Sequence, residues 1–159
     1  MKENGFSFTE LVVVIAMISI VLAISTLDFH KWTVKSNVEK ETREMYSDFA
    51  KLRTRSMYSN KRHRIVLRPD GYTFKSYTAA EPLTAGTEIE VKELPYQITK
   101  ADGSSVSGEM IDFNTRGFTT DWGTIRVTSA GSESSVDCLK ISKARTNVGK
   151  LKNGTCEAK

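Results

Sequence analysis

The chain is short of the residues that stop a helix. Only three of its 159 residues are proline, none before Pro69, and no glycine stands between Gly5 and Gly71. A proline in a helix interior costs about 3 kcal/mol and a glycine about 1 kcal/mol. Nothing in that long span therefore forces a helix to end. Histidine is limited to His30 and His63, and cysteine to Cys138 and Cys156. Two cysteines are too few for a disulfide-dense scaffold, and neither histidine stands near the cysteine pair at a zinc-ligand spacing, so no metal site is expected. Neither histidine has a nucleophile at a motif spacing. Gly86, Gly103 and Gly108 are spaced as loop glycines and not as a phosphate cradle. No catalytic residues and no cofactor are expected, and the chain reads as a non-enzyme.

Carboxylates are missing from two stretches. Between Phe49 and Pro69 stand Lys51, Arg53, Arg55, Lys61, Arg62, Arg64 and Arg68 with no acid among them. Between Asp137 and Glu157 stand Lys140, Lys143, Arg145, Lys150 and Lys152, again with none. On a chain of net charge +4 these stretches have three readings. They form a solvated basic face, a contact for an acidic neighbour, or a phosphate-binding surface.

What is present begins with an apolar run, Leu11 to Leu27, entered through Gly5-Phe6-Ser7-Phe8-Thr9-Glu10. A carboxylate costs about 2.5–3.5 kcal/mol at a bilayer centre on insertion scales, so Glu10 needs a partner and a role. A secretory signal peptide would want a basic leader and an Ala-x-Ala site, whereas Met1 to Asn4 is charge-balanced and Ala23-Ile24-Ser25 is a poor match. A plain anchor suits the length, since Phe6 to Leu27 would reach about 33 Å at 1.5 Å per residue, but leaves Glu10 without a purpose. Flanking charges, Lys2 on one side and His30, Lys31 and Lys35 on the other, do not set an orientation.

Beyond that run, Val34, Val38, Met45, Phe49, Leu52 and Ser56 recur at helical spacing, with Lys40, Glu41, Glu44, Asp48 and Lys51 on other faces. One continuous helix is expected from Phe6 to Tyr58. From His63 the period changes to that of strands. Arg64 to Arg68 and Tyr72 to Thr78 flank a Pro69-Asp70-Gly71 turn. Further strands are expected at Glu88 to Leu94, Met110 to Asn114, Thr124 to Thr128, Ser135 to Ser142 and Asn147 to Lys152, with loops at Thr78 to Thr87 and Ala101 to Gly108. The fold class is α+β. A long N-terminal helix, membrane-spanning in its first half and amphipathic in its second, packs on a mostly antiparallel β-sheet domain.

The Gly5-Phe6 junction, the Thr9-Glu10 pair and the apolar run together resemble the class III signal of type IV pilins and type II secretion pseudopilins. Phe113-Asn114-Thr115-Arg116-Gly117 and Gly123-Thr124-Ile125-Arg126-Val127, followed by a late cysteine-containing strand, resemble the C-terminal domain of minor pilins of the GspH/FimT family. The resemblance implies a leader at 1–5, a transmembrane and assembly helix at 6–28, an amphipathic helix at 29–60 and a β-rich domain at 61–159. It implies prepilin peptidase cleavage between Gly5 and Phe6, N-methylation of Phe6, and pairing of Glu10 with an N-terminal amine during assembly. It places the chain in a bacterial inner membrane as a single-pass protein with a periplasmic C-terminal domain, then in a filament at the cell surface. In an exported domain the lone pair Cys138 and Cys156 reads as one disulfide, with two free thiols as the alternative. The implied function is a structural subunit of a type IV pilus or secretion pseudopilus, at or near its tip. Its partners would be other pilin subunits, prepilin peptidase and inner-membrane lipid. The alternative is a DNA-binding minor pilin acting in DNA uptake. Some members bind DNA through a Gly-Arg-x-Arg motif; here the segment is Ala144-Arg145-Thr146-Asn147, which departs from it at two positions. On that alternative Lys140, Lys143, Arg145, Lys150 and Lys152 form the DNA site.

Overall fold

The structure, a computed structural model, describes residues 7–78, 86–120, 123–129 and 134–158, with the backbone alone over 24–28. It divides into two units, Met1–Val34 and Lys35–Lys159. One helix, α1 (Phe8–Ser59), contributes to both. It starts where Ser7-Phe8-Thr9-Glu10 has the Ser-x-x-Glu pattern of a capping box, and the Ser7 carbonyl accepts from the Glu10 and Leu11 amides at 3.1 Å. It stops at Asn60, whose φ of 52° is the left-handed conformation that asparagine tolerates at a helix end.

In the first unit the apolar side chains of α1 from Phe8 to Leu22 are all exposed. The expected membrane-spanning first half and single-pass inner-membrane location are corrected here. Among the described residues no helix is long and apolar enough to cross a membrane. The described apolar side chains run from Leu11 to Ala23, 13 residues, since over 24–28 the backbone alone is described, and that falls short of the roughly 20 that a bilayer requires.

In the second unit α1 buries one stripe, Val38, Met45, Phe49 and Leu52. Thr42 and Ser56 lie fully buried within it. Their hydroxyls donate to the carbonyls four residues back, at 2.8 and 3.0 Å, so these polar groups cost little there. The strands are β1 (Arg62–Arg68), β2 (Gly71–Tyr77), β3 (Thr87–Glu93), β4 (Gln97–Lys100), β5 (Met110–Phe113), β6 (Gly123–Thr128), β7 (Cys138–Ile141), β8 (Thr146–Lys152) and β9 (Thr155–Ala158). They form two antiparallel sheets, ordered β3-β2-β1-β5 and β4-β6-β7-β8-β9. Ile65, Leu67, Tyr72 and Phe74 of the first sheet join Ile98, Ile125, Val127, Leu139 and Ile141 of the second in one core with the helix stripe.

Three locks tie the layers. Asp48, 6 % exposed, accepts from the Tyr72 hydroxyl at 3.0 Å and faces Lys92 at 3.4 Å. Lys92 also binds Glu44 at 3.1 Å, which fastens β3 to the helix. Arg64 of β1 grips both oxygens of Asp112 of β5, and its guanidinium lies 5.4 Å from the Tyr77 ring centre.

Pro69-Asp70 turns β1 into β2 as the sequence indicates. Most of the expected loop from Thr78 to Thr87 lies outside the described residues. The strand expected over Ser135 to Ser142 is narrower, because Ser135 donates its amide to Glu39 at 2.8 Å instead of pairing. Strands β4 and β9 are additions to the sequence reading.

Candidate functional site

Gly5 and Phe6, the cleavage and methylation positions implied by resemblance, lie outside the described residues. Glu10 sits at the third position of α1, exposed. There a carboxylate interacts favourably with the partial positive charge of the helix N-terminus. The apolar side chains that follow, from Leu11 to Leu22, are exposed on every side of the helix.

Cys138 and Cys156 are bonded. The bond does not join adjacent strands: Cys138 is in β7, Cys156 in β9, and β8 lies between. In a flat sheet next-nearest strands stand about 9.6 Å apart. The two Cα atoms are 6.0 Å apart, so the β8–β9 hairpin is coiled back toward β7. Gly149 is where this happens. A Cβ there would lie 1.9 Å from the Glu157 carbonyl oxygen. The hairpin turns through Asn153-Gly154, with φ values of 49° and 77°. That is the chemistry of a tight two-residue hairpin turn.

The five basic residues of the expected DNA site do not share one face. Lys140 is opposite Asn147 in the register, on the side of β8 that carries Gly149 and Leu151. Lys150 and Lys152 alternate onto the other side, and Lys152 pairs with Glu157 at 2.7 Å. Lys143 and Arg145 sit in the β7–β8 turn, closed by Ser142 and Arg145 backbone bonds of 2.8 and 3.2 Å. The turn meets an arginine that the sequence reading counted only as part of a basic stretch. Arg53 of α1 donates to the Ala144 carbonyl. Tyr46, Ala50, Arg53, Arg145, Thr146 and Asn147 line a groove of about 250 Å3 between helix and turn. Beside it Gly117, at φ 73°, packs against Met57 and Arg53, where a Cβ would stand 2.9 Å from the Met57 sulfur. Met57 is exposed there.

A larger cleft, about 520 Å3, has Leu67, Val106, Ile111, Ile125 and Ile141 in its lining. Its rim charges Lys100 and Glu109 are paired with each other at 2.6 Å. Ser56 Oγ lies 3.1 Å from His63 Nδ1, but both residues are buried between α1 and β1, with no approach for a substrate. Burial holds His63 below the ordinary histidine range, helped by the charges of Arg55 and Lys61 and opposed by its bond to the Lys61 carbonyl. This pair fastens the helix end. Among the described residues no group of three His, Cys, Asp or Glu side chains could hold a metal ion.

Compared with family models, with curated proteins and with solved structures, the chain matches none.

Proposed function

We propose that the chain is a non-enzymatic filament subunit of the minor pilin or pseudopilin kind. The single observation that carries the reading is the N-terminal segment of α1. It presents exposed apolar side chains from Phe8 to Leu22, directly after a Gly5-Phe6 junction and with one carboxylate, Glu10, at its start. An apolar helix uncovered on all sides needs other helices around it, and a patch of that extent marks an interaction surface. Hydrolysis of the Gly5–Phe6 peptide bond would free an amine close to Glu10. Inside a helix bundle an isolated amine and an isolated carboxylate are each costly, whereas together they are tolerated and fix the stagger between subunits. The DNA-uptake alternative is left with Lys143, Arg145 and Arg53 converging, while Lys140 stands apart from Lys150 and Lys152.

The test is mass spectrometry of the chain recovered from its native host. The mature form should begin at Phe6 with a methylated amine, and Gly5→Val should block its formation. Recovery of a form beginning at Met1 or near Ser25 would overturn the reading. Glu10→Gln should leave processing intact and remove the chain from sheared filaments, and equal recovery of the variant would sink the pairing role.

A further inference from the structure

The groove between α1 and the β7–β8 turn has a chemistry that points outward. Arg53, Arg145 and Tyr46 line it, Lys143 stands at its turn, and Met57 is exposed beside Arg53 against Gly117. Arginine, tyrosine, phenylalanine and methionine are the side chains enriched at protein interfaces. The Nε of Arg53 is buried with no hydrogen-bond partner, although its NH1 is bound to Ala144. The turn holds no carboxylate, and Asp48, the one carboxylate of this stretch of helix, is buried on its other side against Tyr72 and Lys92. Glu39 lies on the same side of α1 several turns back, where it is taken up by the Ser135 amide. Whatever fills the groove must therefore bring negative charge.

The opposite flank of α1 supplies it. Successive residues turn by 100° around a helix, so Tyr46, Arg53 and Met57 lie on one side of the buried stripe and Glu41 and Glu44 on the other. Contacts agree: Arg53 reaches Ala144, whereas Glu44 reaches Lys92 of β3. Strand β3 is the outer strand of its sheet and exposes Glu88, Glu90 and Glu93. Glu88 stands opposite Lys75, but Glu90 and Glu93 stand opposite Phe74 and Gly71. Burial, with the neighbouring charge of Glu44, holds Glu41 above the ordinary carboxylate range, against the opposing charges of Lys40 and Lys92. Lys92 is already engaged by Glu44 and Asp48.

We infer that the basic, aromatic groove of one copy docks the acidic β3 edge of a second copy of this chain, joining copies head to tail. Complementary patches on opposite flanks make a heterologous contact, which leaves a free patch at each end of a pair and so adds further copies. Electrostatic matching of this kind sets register and partner choice. The inference rests on the filament-subunit reading and adds a partner and a surface to it.

The full chain is prepared in unlabelled and 15N-labelled form, mixed, and treated with a carbodiimide that couples lysine amines to carboxylates in contact. Mass spectrometry should find mixed-isotope peptides that join Lys143 to Glu90 or Glu93. Their yield should fall about tenfold or more in Arg145→Glu, which keeps the Lys143 amine and the Glu90 and Glu93 carboxylates but sets like charge against like. It should also fall with added salt. The fourfold variant Lys143→Glu/Arg145→Glu/Glu90→Lys/Glu93→Lys should form the link with its ends exchanged. Inter-copy links confined to the first unit would leave the subunit reading standing and overturn this interface. Absence of any inter-copy link would overturn both. Failure of the fourfold variant to form the link at an unchanged melting temperature would also overturn it. So would salt-sensitive binding of duplex DNA to the groove in place of the link. Should a variant fail to fold, the wild-type link map alone decides.

Discussion

Removing the disulfide with Cys138→Ala/Cys156→Ala should cost the second unit about 3 kcal/mol and uncoil the end of its second sheet. The bond closes a loop with a sequence separation of 18. On the chain-entropy model a loop of that size contributes about 3 kcal/mol by restricting the unfolded chain. Unfolding entropy of about 2.1 cal/mol/K per residue, over a unit of about 125 residues, converts this to a fall in Tm of about 10 °C. The structure adds a local consequence. Cys138 and Cys156 stand in strands separated by β8, yet their Cα atoms are 6.0 Å apart. The bond therefore holds a curvature that a flat ladder would not adopt. Thermal unfolding gives the first number, and amide exchange followed residue by residue gives the second. Exchange should accelerate in Thr155–Ala158 first, while Gly123–Thr128 stays protected. A Tm within about 3 °C of wild type would refute the entropic estimate. Unchanged protection in β9 would refute the claim that the bond maintains the coil.

Asp48→Ala should lower stability by about 1–3 kcal/mol, because the buried Tyr72 hydroxyl loses its acceptor. An unchanged denaturant midpoint would count against the lock. His63 carries the pH dependence. Its folded pKa is lowered, so the unfolded chain binds the proton more readily and stability rises with pH. That contribution is complete above the unfolded value of about 6.5 and is lost as pH falls through the lower folded value. The denaturant midpoint should drop between about pH 7 and pH 5, and His63→Gln should flatten the drop; an equal drop in the variant would place the titration elsewhere.

The long helix was legible because its signal is an absence, and absences are unambiguous: without glycine or proline from Phe6 to Arg68 nothing competes with the helical period. Length misled where the apolar run was read as a span. Leu27 extends it past Ser25 and Thr26, and the count depends on whether such residues are allowed within it. Most strands followed from alternation, but β9 was hidden. Its mark is Asn153-Gly154, directly after the last expected strand, a dipeptide that is the strongest short hairpin signal. Gly149 was a second missed mark, since a glycine inside a strand indicates a bulge or a close backbone approach. It has the latter, against Glu157. The groove was illegible for another reason. Arg53 and Ala144 are 91 positions apart, and no local pattern brings them together.

Glu10 shows how a residue can be legible twice. Ser7-Phe8-Thr9-Glu10 has the capping-box pattern whatever the chain does, and a carboxylate in the first turn stabilises a helix by about 0.3–1 kcal/mol. The filament reading asks much more of the same carboxylate. An amine left buried without its counter-charge costs about 3–5 kcal/mol. The two roles therefore separate by magnitude. Glu10→Gln weakens the helix start by less than about 1 kcal/mol, which cannot by itself exclude a subunit whose α1 runs on for 52 residues. Complete loss of incorporation in that variant would thus report a charge pair between subunits, whereas a partial loss proportional to helix fraying would report the cap alone.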